Sequence, residues 1–296
     1  MQTTNSSSAS QFYWVITAYL CALGAAVFAI YYAPIENPLL QAALADVVAT
    51  IIIFLFSCAF SNSSFYDPYW SVAPPLLMIF WLFSYEVFDL RLGLVLLLTS
   101  LWSMRLTHNW ARGWQGLTHV DWRYVDLKAK TGIFFPLVDF LGIQIFPTVL
   151  VFVGCLPIWL LISSAATSGE LGTPLRNMDL IWLCLGFLAV WLEFRADNVL
   201  SAFRQNSDNS KKVLDYDVWN WCRHPNYLGE IGFWLALAIA GYIGSGSHLS
   251  WVGFLAMVAL FLGISIPMID KRQLANKAKY AQYHAQVPSL IPRFKR

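Results

Sequence analysis

Long apolar runs dominate this chain of 296 residues and limit it to a small set of folds. A helix needs about 20 residues to cross a hydrocarbon core of about 30 Å, because each residue advances it by about 1.5 Å. The sequence therefore predicts an all-α, polytopic transmembrane helix bundle with about eight spans. We predict these spans at residues 12–32, 41–60, 72–88, 92–110, 141–164, 180–200, 226–245 and 250–269.

The composition agrees with a membrane protein. Only 12% of the residues are charged and 58% are hydrophobic, whereas soluble domains carry about 25% charged residues. This excludes a water-soluble globule, a disordered chain and a nucleic-acid-binding module. A lipid-facing barrel is also excluded, because the apolar runs lack alternation with period two. We expect an integral, multi-pass protein whose partner is the lipid bilayer, and no obligate protein partner.

The basic residues are distributed unevenly between the two sides of this arrangement. Fifteen of the 19 Lys and Arg residues fall on the side that bears the N-terminus, whereas only Arg91 and Arg176 fall on the other side. Such an excess marks the cytoplasmic side, so both termini are predicted to be cytoplasmic. Residues 1–11 contain no Lys or Arg. We therefore expect a disordered tail and a retained first helix rather than a secretory signal.

Polar side chains gather at the predicted cytoplasmic ends of four spans. An ionisable group inside the bilayer costs about 3 kcal/mol, so each one needs a partner, a wet cavity or a function. Together they predict a polar pocket open to the cytosol. The alternative is a set of interface residues that reach water and form salt bridges. The residues are Arg105, His108, Asn109 and Arg112 on one helical face, Glu193 and Asp197 on another, Asn226, Tyr227 and Glu230 at the start of the seventh span, and Arg272.

The most specific local pattern is Cys-Arg-His-Pro-Asn-Tyr-Leu-Gly-Glu at 222–230. Pro225 suits the first turn of a helix, where its missing N–H is no loss. Free backbone N–H groups at that helix start, beside Arg223 and His224, predict an anion site suited to phosphate. The alternative is a capped membrane helix with a basic interface.

Other common sites have no matching pattern. The chain has no P-loop, no Gly-x-Ser-x-Gly elbow and no zinc-type spacing among its five His residues, and the five Cys residues form no Cys-x-x-Cys pair. We predict no metal site.

The residues at 223–230, Arg-His-Pro-Asn-Tyr-Leu-Gly-Glu, resemble the C-terminal signature of the steroid 5-alpha-reductase superfamily. The tail segments Tyr-Ala-Gln-Tyr at 280–283 and Pro-Ser-Leu-Ile-Pro at 288–292 resemble the same group. The segments at 66–74, 105–114 and 121–124 resemble an uncharacterised multi-span subgroup of it. Related sterol reductases and isoprenylcysteine carboxyl methyltransferases carry similar elements. The resemblance covers roughly residues 60–296.

This resemblance implies an NADPH-dependent reductase with its cofactor in a cytoplasm-facing cavity. By position, Asn226, Tyr227 and Glu230 match cofactor contacts of the family, and Glu193 and Asp197 match a polar pair one helix earlier. Arg105 and Arg272 match arginines near the cofactor. The implied domains are a tail at 1–11, substrate-side helices at 12–110, a cytoplasmic loop at 111–140 and a cofactor-binding membrane domain at 141–296.

The family reduces a carbon–carbon double bond that is conjugated to a carbonyl group. An acidic Tyr or Glu side chain forms a hydrogen bond to the carbonyl oxygen. Here Trp102 stands where the steroid enzymes have their catalytic tyrosine. Asp67 is the nearest match to the acidic residue, and Tyr66 or Tyr69 are candidate proton donors. Glu86 is a weaker candidate for the acidic residue. Asp67 could equally cap a helix.

The resemblance leaves three functions open. The first is a reductase of a lipophilic, sterol-like or isoprenoid substrate. The second is a methyltransferase that uses S-adenosylmethionine, because a neighbouring family uses the Arg-His-Pro-x-Tyr element for that cofactor. The third is a lipid-binding or scaffold protein that has lost its chemistry, which the tryptophan at 102 would suit.

Overall fold

The computed structural model of the protein describes residues 5–168 and 175–292, and within these ranges it contains helices and no strand. Two π-helical turns occur within the same ranges, at Asp139–Ile145 and Phe261–Ser265. The helices are α1 (Asn5–Tyr32), α2 (Pro38–Ala59), α3 (Tyr69–Tyr85), α4 (Leu90–Arg112), α5 (Trp122–Thr131), α6 (Phe135–Val138), α7 (Phe146–Gly154), α8 (Leu156–Ser168), α9 (Asp179–Gln205), α10 (Pro225–Ser245), α11 (Ser250–Leu260), α12 (Ile266–Asn276) and α13 (Tyr280–Gln286).

Six helical segments of the described chain are long and apolar enough to cross a membrane. This confirms the predicted all-α, multi-pass architecture. Two of the eight predicted spans are not among the six, because α3 has only 17 residues and α9 carries five charged residues. The six segments are Gln11–Tyr32, Pro38–Ala59, Leu90–Arg112, Trp122–Thr167, Pro225–Ser245 and Ser250–Asn276.

Helix boundaries differ from the predicted ones in two places. The span predicted at 141–164 belongs to a helical segment of 46 residues, Trp122–Thr167, so α5 and α6 lie within the predicted loop 111–140. The predicted tail 1–11 overlaps α1, which begins at Asn5. Residues 1–4 of that tail lie outside the described residues.

The chain forms two compact units. The N-terminal unit contains Met1–Val87 and Trp102–Cys155, and the C-terminal unit contains Phe88–Leu101 and Leu156–Arg296. The division therefore falls within α4 and again between α7 and α8.

Small side chains in the N-terminal unit let α1 pack closely on α2. Ala18 and Ala22 of α1 share a buried core with Ala49 and Ile53 of α2, and small residues at a helix interface allow close backbone approach. The Asn37 side chain caps α2 by accepting hydrogen bonds from the first backbone N–H groups of that helix. The same core contains three aromatic residues from the segment that enters α3, Phe65, Tyr66 and Tyr69.

In the C-terminal unit, glycines bring α10 against its neighbours. A Cβ atom on Gly229 would lie 2.8 Å from the backbone oxygen of Ala189 in α9, and one on Gly241 would lie 2.7 Å from the backbone oxygen of Pro157 in α8. Such distances are too short for any side chain. The start of α10 is therefore held firmly beside α9.

A buried ion pair connects the first turns of α4 and α9. Arg91 Nη2 lies 2.9 Å from Asp179 Oδ2, and Arg91 Nε also donates to this carboxylate. The indole N–H of Trp182 and the backbone N–H of Arg176 donate to the same group. The carboxylate is thus fully surrounded by donors, which is the condition under which a buried charge is tolerated.

We expect Arg91→Ala to lower the free energy of unfolding by about 3 kcal/mol or more, because it leaves the Asp179 carboxylate buried without its cation. Denaturant titration in detergent micelles measures this change. The double variant Arg91→Ala with Asp179→Ala should recover much of the loss, and the exposed Lys211→Ala serves as the control. A loss below about 1 kcal/mol for Arg91→Ala would show that the pair is not structural.

Candidate functional site

The segment 222–230 places its polar residues around the start of α10. Pro225 occupies the first helical position, as predicted, and His224 lies at the N-cap without a side-chain cap hydrogen bond. The His224 ring stacks on Tyr227, with 5.6 Å between the ring centroids. Tyr227 also packs against Phe261. The first turn of this helix is thus fixed by aromatic packing on one side.

Asp270 of α12 lies at the centre of a cluster of hydrogen bonds in the C-terminal unit. Arg223 Nη2 donates to Asp270 Oδ2 at 3.0 Å, and His224 Nε2 lies 3.0 Å from Oδ1. The Tyr280 hydroxyl donates to Oδ1 at 2.5 Å. His284 Nε2 is 3.5 Å from Oδ2. Burial and the hydrogen bond to this carboxylate raise the pKa of Tyr280 well above its usual range.

The same cluster fixes the C-terminal segment of the chain. Arg223 Nη1 donates to the backbone oxygen of Val287 at 2.6 Å and to that of His284 at 3.0 Å. The backbone N–H groups of Arg223 and His224 donate to the oxygens of Pro288 and Ser289. Arg223 and His224, which we expected at a phosphate, therefore direct these donors to the protein itself.

Three buried carboxyl groups lie on α9 and α10, as the sequence predicted. Glu193 and Asp197 of α9 and Glu230 of α10 are each less than a tenth exposed. Glu193 packs directly on Gly229, because a Cβ atom at that glycine would lie 2.3 Å from Glu193 Cγ. Buried acids in one unit beside a helix start are suited to bind hydroxyl groups of a polar ligand.

A group of three basic side chains surrounds the C-terminal end of α9. Burial lowers the pKa of Arg204, and the positive charge of Arg272 lowers it further, although Asp197 opposes this. Burial and Arg204 together lower the pKa of Lys277. Lys277 Nζ lies 5.9 Å from the ring centroid of Phe203. Arg204 thus interacts electrostatically with both Arg272 and Lys277, and a local excess of positive charge favours an anion such as phosphate.

Asp46 lies at the centre of a polar cluster in the N-terminal unit. The Tyr69 hydroxyl lies 2.6 Å from Asp46 Oδ1, and Asp46 Oδ2 is buried with no hydrogen-bond partner. Thr50 donates to the backbone oxygen of Asp46 at 2.8 Å. The Thr148 hydroxyl bonds Thr50 at 2.9 Å and Tyr66 at 2.8 Å. This intramembrane cluster therefore joins α2, α7 and the segment that enters α3.

The predicted catalytic residues have separate roles in this unit. Tyr66 and Tyr69 belong to the intramembrane cluster, but Asp67 does not. Asp67 accepts a hydrogen bond from the Tyr124 hydroxyl and lies 3.8 Å from Arg123 Nη2. Burial raises the pKa of Asp67 to about 6, although Arg123 and Tyr124 oppose that rise. Asp67 thus connects the start of α3 to α5.

The predicted polar face of α4 is only partly buried. Arg105 is buried, His108 is exposed, and Arg112 is exposed and donates to the side-chain oxygen of Asn109 at 2.7 Å. Trp102 is fully buried and packs edge to face on Trp70, which is also in the N-terminal unit. The four polar α4 residues lie in the N-terminal unit, and the other predicted cofactor residues lie in the C-terminal unit.

Sequence reasoning missed three groups that the structure brings into these sites. Asp46 is a single acid in an apolar run, and this alone is a signal for a functional group inside a membrane. Asp270 was visible as an acid at the end of the last span but had no assigned role. Arg204 and Lys277 were counted only as cytoplasmic charges.

Comparisons with known proteins give a family and few close relatives. The family described as "Protein of unknown function (DUF1295)" matches residues 53–287. An uncharacterised protein of Schizosaccharomyces pombe is 27% identical over 282 residues, which cover 87% of this chain and 80% of that protein. Steroid 5-alpha-reductase DET2 of Gossypium hirsutum is 29% identical over 85 residues, which are 27% of this chain and 30% of DET2. No solved structure matches this chain.

We expect Asp270→Ala to release the C-terminal segment from the start of α10, because Arg223, His224 and Tyr280 all lose their shared acceptor. Hydrogen exchange read by mass spectrometry should show faster exchange of the backbone N–H groups of Arg223 and His224. Asp208→Ala, at an exposed position, is the matched control and should leave these groups protected. Equal protection in both variants would contradict the structural role of Asp270.

Proposed function

This chain belongs to the DUF1295 family, and we propose that it is a membrane-embedded, NADPH-dependent reductase. The proposed reaction is reduction of a carbon–carbon double bond conjugated to a carbonyl group in a lipophilic substrate, either sterol-like or isoprenoid. The partial similarity to steroid 5-alpha-reductase DET2 supports a reductase. The observation that carries the proposal is the buried contact between Tyr69 and Asp46.

The residues of the C-terminal unit suit NADPH by their chemistry. The basic group of Arg204, Arg272 and Lys277 suits the phosphates of this cofactor. The buried carboxyl groups of Glu193 and Glu230 suit its ribose hydroxyls. Asn226 and Tyr227, both half-buried at the start of α10, would complete the contacts on this side.

The predicted anion site needs revision in one respect. Arg223 and His224 bond Asp270 and the C-terminal segment, so we assign them to holding the start of α10. The cofactor role of Arg105, His108, Asn109 and Arg112 of α4 stays a prediction from the sequence. Asp197 interacts electrostatically with Arg204 and would orient that guanidinium group.

Tyr69 and Asp46 provide the acid that such a reduction needs. When bound, NADPH would supply a hydride to the double bond. Negative charge then develops on the substrate carbonyl oxygen, and a positioned hydrogen-bond donor stabilises it. In the structure the Tyr69 hydroxyl donates to Asp46 Oδ1. Once protonated, Asp46 would donate to the Tyr69 oxygen instead, which would free the tyrosine proton for the substrate. Tyr66 supports this arrangement through Thr148, and Asp67 is no longer needed as the acid.

The buried position of this pair also defines the kind of substrate. The cluster lies among apolar helices, so a carbonyl compound that reaches it must leave water at little cost. A lipophilic ketone can do so, whereas a charged metabolite cannot. Trp102 packs on Trp70, so it fills space where the steroid enzymes have a tyrosine, and Tyr69 would supply the missing hydroxyl.

We expect NADPH to stabilise the detergent-purified protein against thermal unfolding. At about 100 times its Kd a ligand adds about 2.7 kcal/mol of stability, which a thermal shift detects. Arg204→Ala should weaken NADPH binding by about tenfold, or about 1.4 kcal/mol, whereas Lys211→Ala at an exposed position should not. Protection by S-adenosylhomocysteine instead of NADPH would favour a methyltransferase and reject the reductase.

We expect Tyr69→Phe and Asp46→Asn each to lower kcat for NADPH-dependent reduction by about a hundredfold or more, since a positioned acid contributes about that factor. Cholest-4-en-3-one, a lipophilic enone, is the test substrate. The KM for NADPH should change little. Tyr31→Phe on exposed α1 is the control. Full activity of Tyr69→Phe would remove Tyr69 from the reaction.

A further inference from the structure

A second buried acid lies close to the intramembrane cluster. Asp139 begins the π-helical turn before α7 and is only 4% exposed. Ser63 Oγ donates to Asp139 Oδ2 at 2.8 Å. The thiol of Cys58 on α2 is also close enough to interact with it electrostatically. No cation accompanies Asp139 in the ion pairs of the described chain.

The π-helical turn aligns Asp139 with polar residues deeper in the unit. Gln144 Nε2 is 3.5 Å from Asp139 Oδ1, a long contact that spans five residues. A π-helix places residues five apart in register, and such turns are frequent at functional sites. Thr148 follows Gln144 by four residues and so lies on the same helix face. It hydrogen-bonds Thr50, which donates to the backbone oxygen of Asp46, one helical turn earlier on α2.

Two buried oxygen atoms along this route lack partners. Gln144 Oε1 and Asp46 Oδ2 are both buried and make no hydrogen bond within the described residues. Gln144 itself is completely buried. An unsatisfied buried acceptor costs about 1–3 kcal/mol. A proton, or a group that donates a hydrogen bond, would remove this cost at each oxygen atom.

The outer end of the route faces a cavity. Its volume is about 150 Å³, and Ser61, Ser63, Tyr124 and Lys128 are among its lining residues. Ser61 and Lys128 are exposed, whereas Ser63 and Tyr124 are buried. One hydroxyl group, that of Ser63, therefore separates Asp139 from a space that reaches the surface.

We propose that Asp139 supplies protons to the Asp46–Tyr69 pair along the file Ser63, Asp139, Gln144, Thr148 and Thr50. Chains of acidic and polar side chains are the usual proton routes inside membranes. The inference rests on the proposed function, because reduction by that route consumes one proton in each turnover.

The proton transfers balance as follows. The Tyr69 O–H bond breaks as its proton passes to the reduced substrate, and Asp46 returns a proton to Tyr69. Asp46 is then a carboxylate, and Asp139 reloads it through the file. Asp139 takes a proton from solvent at the cavity beside Ser63. One proton is taken up from water in each turnover, and the electron pair comes with the hydride of NADPH.

Infrared spectroscopy of the protein in liposomes tests this route without cofactor or substrate. A protonated carboxyl group shifts its C=O band when H₂O is replaced by D₂O, and the rate of that shift measures proton access. Asp46→Asn identifies the band of Asp46 by its loss. We expect Asp139→Asn to slow exchange of the Asp46 band by about a hundredfold and Asp139→Glu to restore it.

Matched variants decide between a proton route and a structural effect. Ser57→Ala removes a buried hydroxyl that bonds only its own helix and should leave the exchange rate unchanged. Gln144→Leu and Ser63→Ala should slow exchange of the Asp46 band. If Asp139→Asn does not fold, these two variants test the proton route in its place. Unchanged exchange in the folded file variants, or no Asp46 band in the parent protein, would overturn the route.

The same measurement separates this inference from the proposed function. Exchange that depends on Asp139 in a protein without reductase activity would keep the route and reject the reaction. Reductase activity together with exchange that does not depend on Asp139 would keep the proposed reaction and reject the proton route.

Discussion

A hydrocarbon environment offers no solvent to polar groups, and this constraint shapes the whole of this protein. Backbone groups are satisfied within helices, so the described chain is helical throughout its membrane segments. Polar side chains must find partners inside the protein. They do so at a few points, and each point joins helices that are distant in sequence. The fold is therefore organised by its buried acids as much as by its apolar surface.

The cluster around Asp270 shows how one acid joins two distant sequence patterns. Arg223 and His224 precede α10, whereas Tyr280 and His284 follow α12, and all four side chains meet this carboxylate. The Arg-His-Pro element and the C-terminal tyrosines therefore belong to one structure. Gly229 adds the close approach of α9, which brings Glu193 to the same helix start.

The sequence was sufficient to predict the class of fold and most of its spans. Apolar length determines these directly, since the thickness of the bilayer is fixed. The helices α3 and α9, which are short or charged, are not among the six segments that are long and apolar enough to cross a membrane. The π-helical turn at Asp139 could not be predicted, because no residue preference distinguishes it from an α-helix.

The candidate site was predictable only where a local pattern existed. The segment 222–230 placed α10 and its first proline correctly, because local sterics decide a helix start. The partners of Arg223 and His224 depend on long-range packing, so a local pattern could not predict them. Tyr69 was found as a candidate donor. Its hydroxyl contacts Asp46 rather than Asp67, because the chain path brings α2 to it.

The surroundings of the buried acids distinguish a structural role from a chemical one. Asp179 receives donors from Arg91, Trp182 and a backbone N–H group, so both of its oxygens are satisfied. Asp46 has a single side-chain donor, Tyr69, and one oxygen without a partner. A carboxylate saturated by an arginine stabilises a fold but cannot exchange its proton at ordinary pH. An acid with an open oxygen beside a tyrosine is destabilising for the fold, and its position is better explained by the chemistry that it can perform.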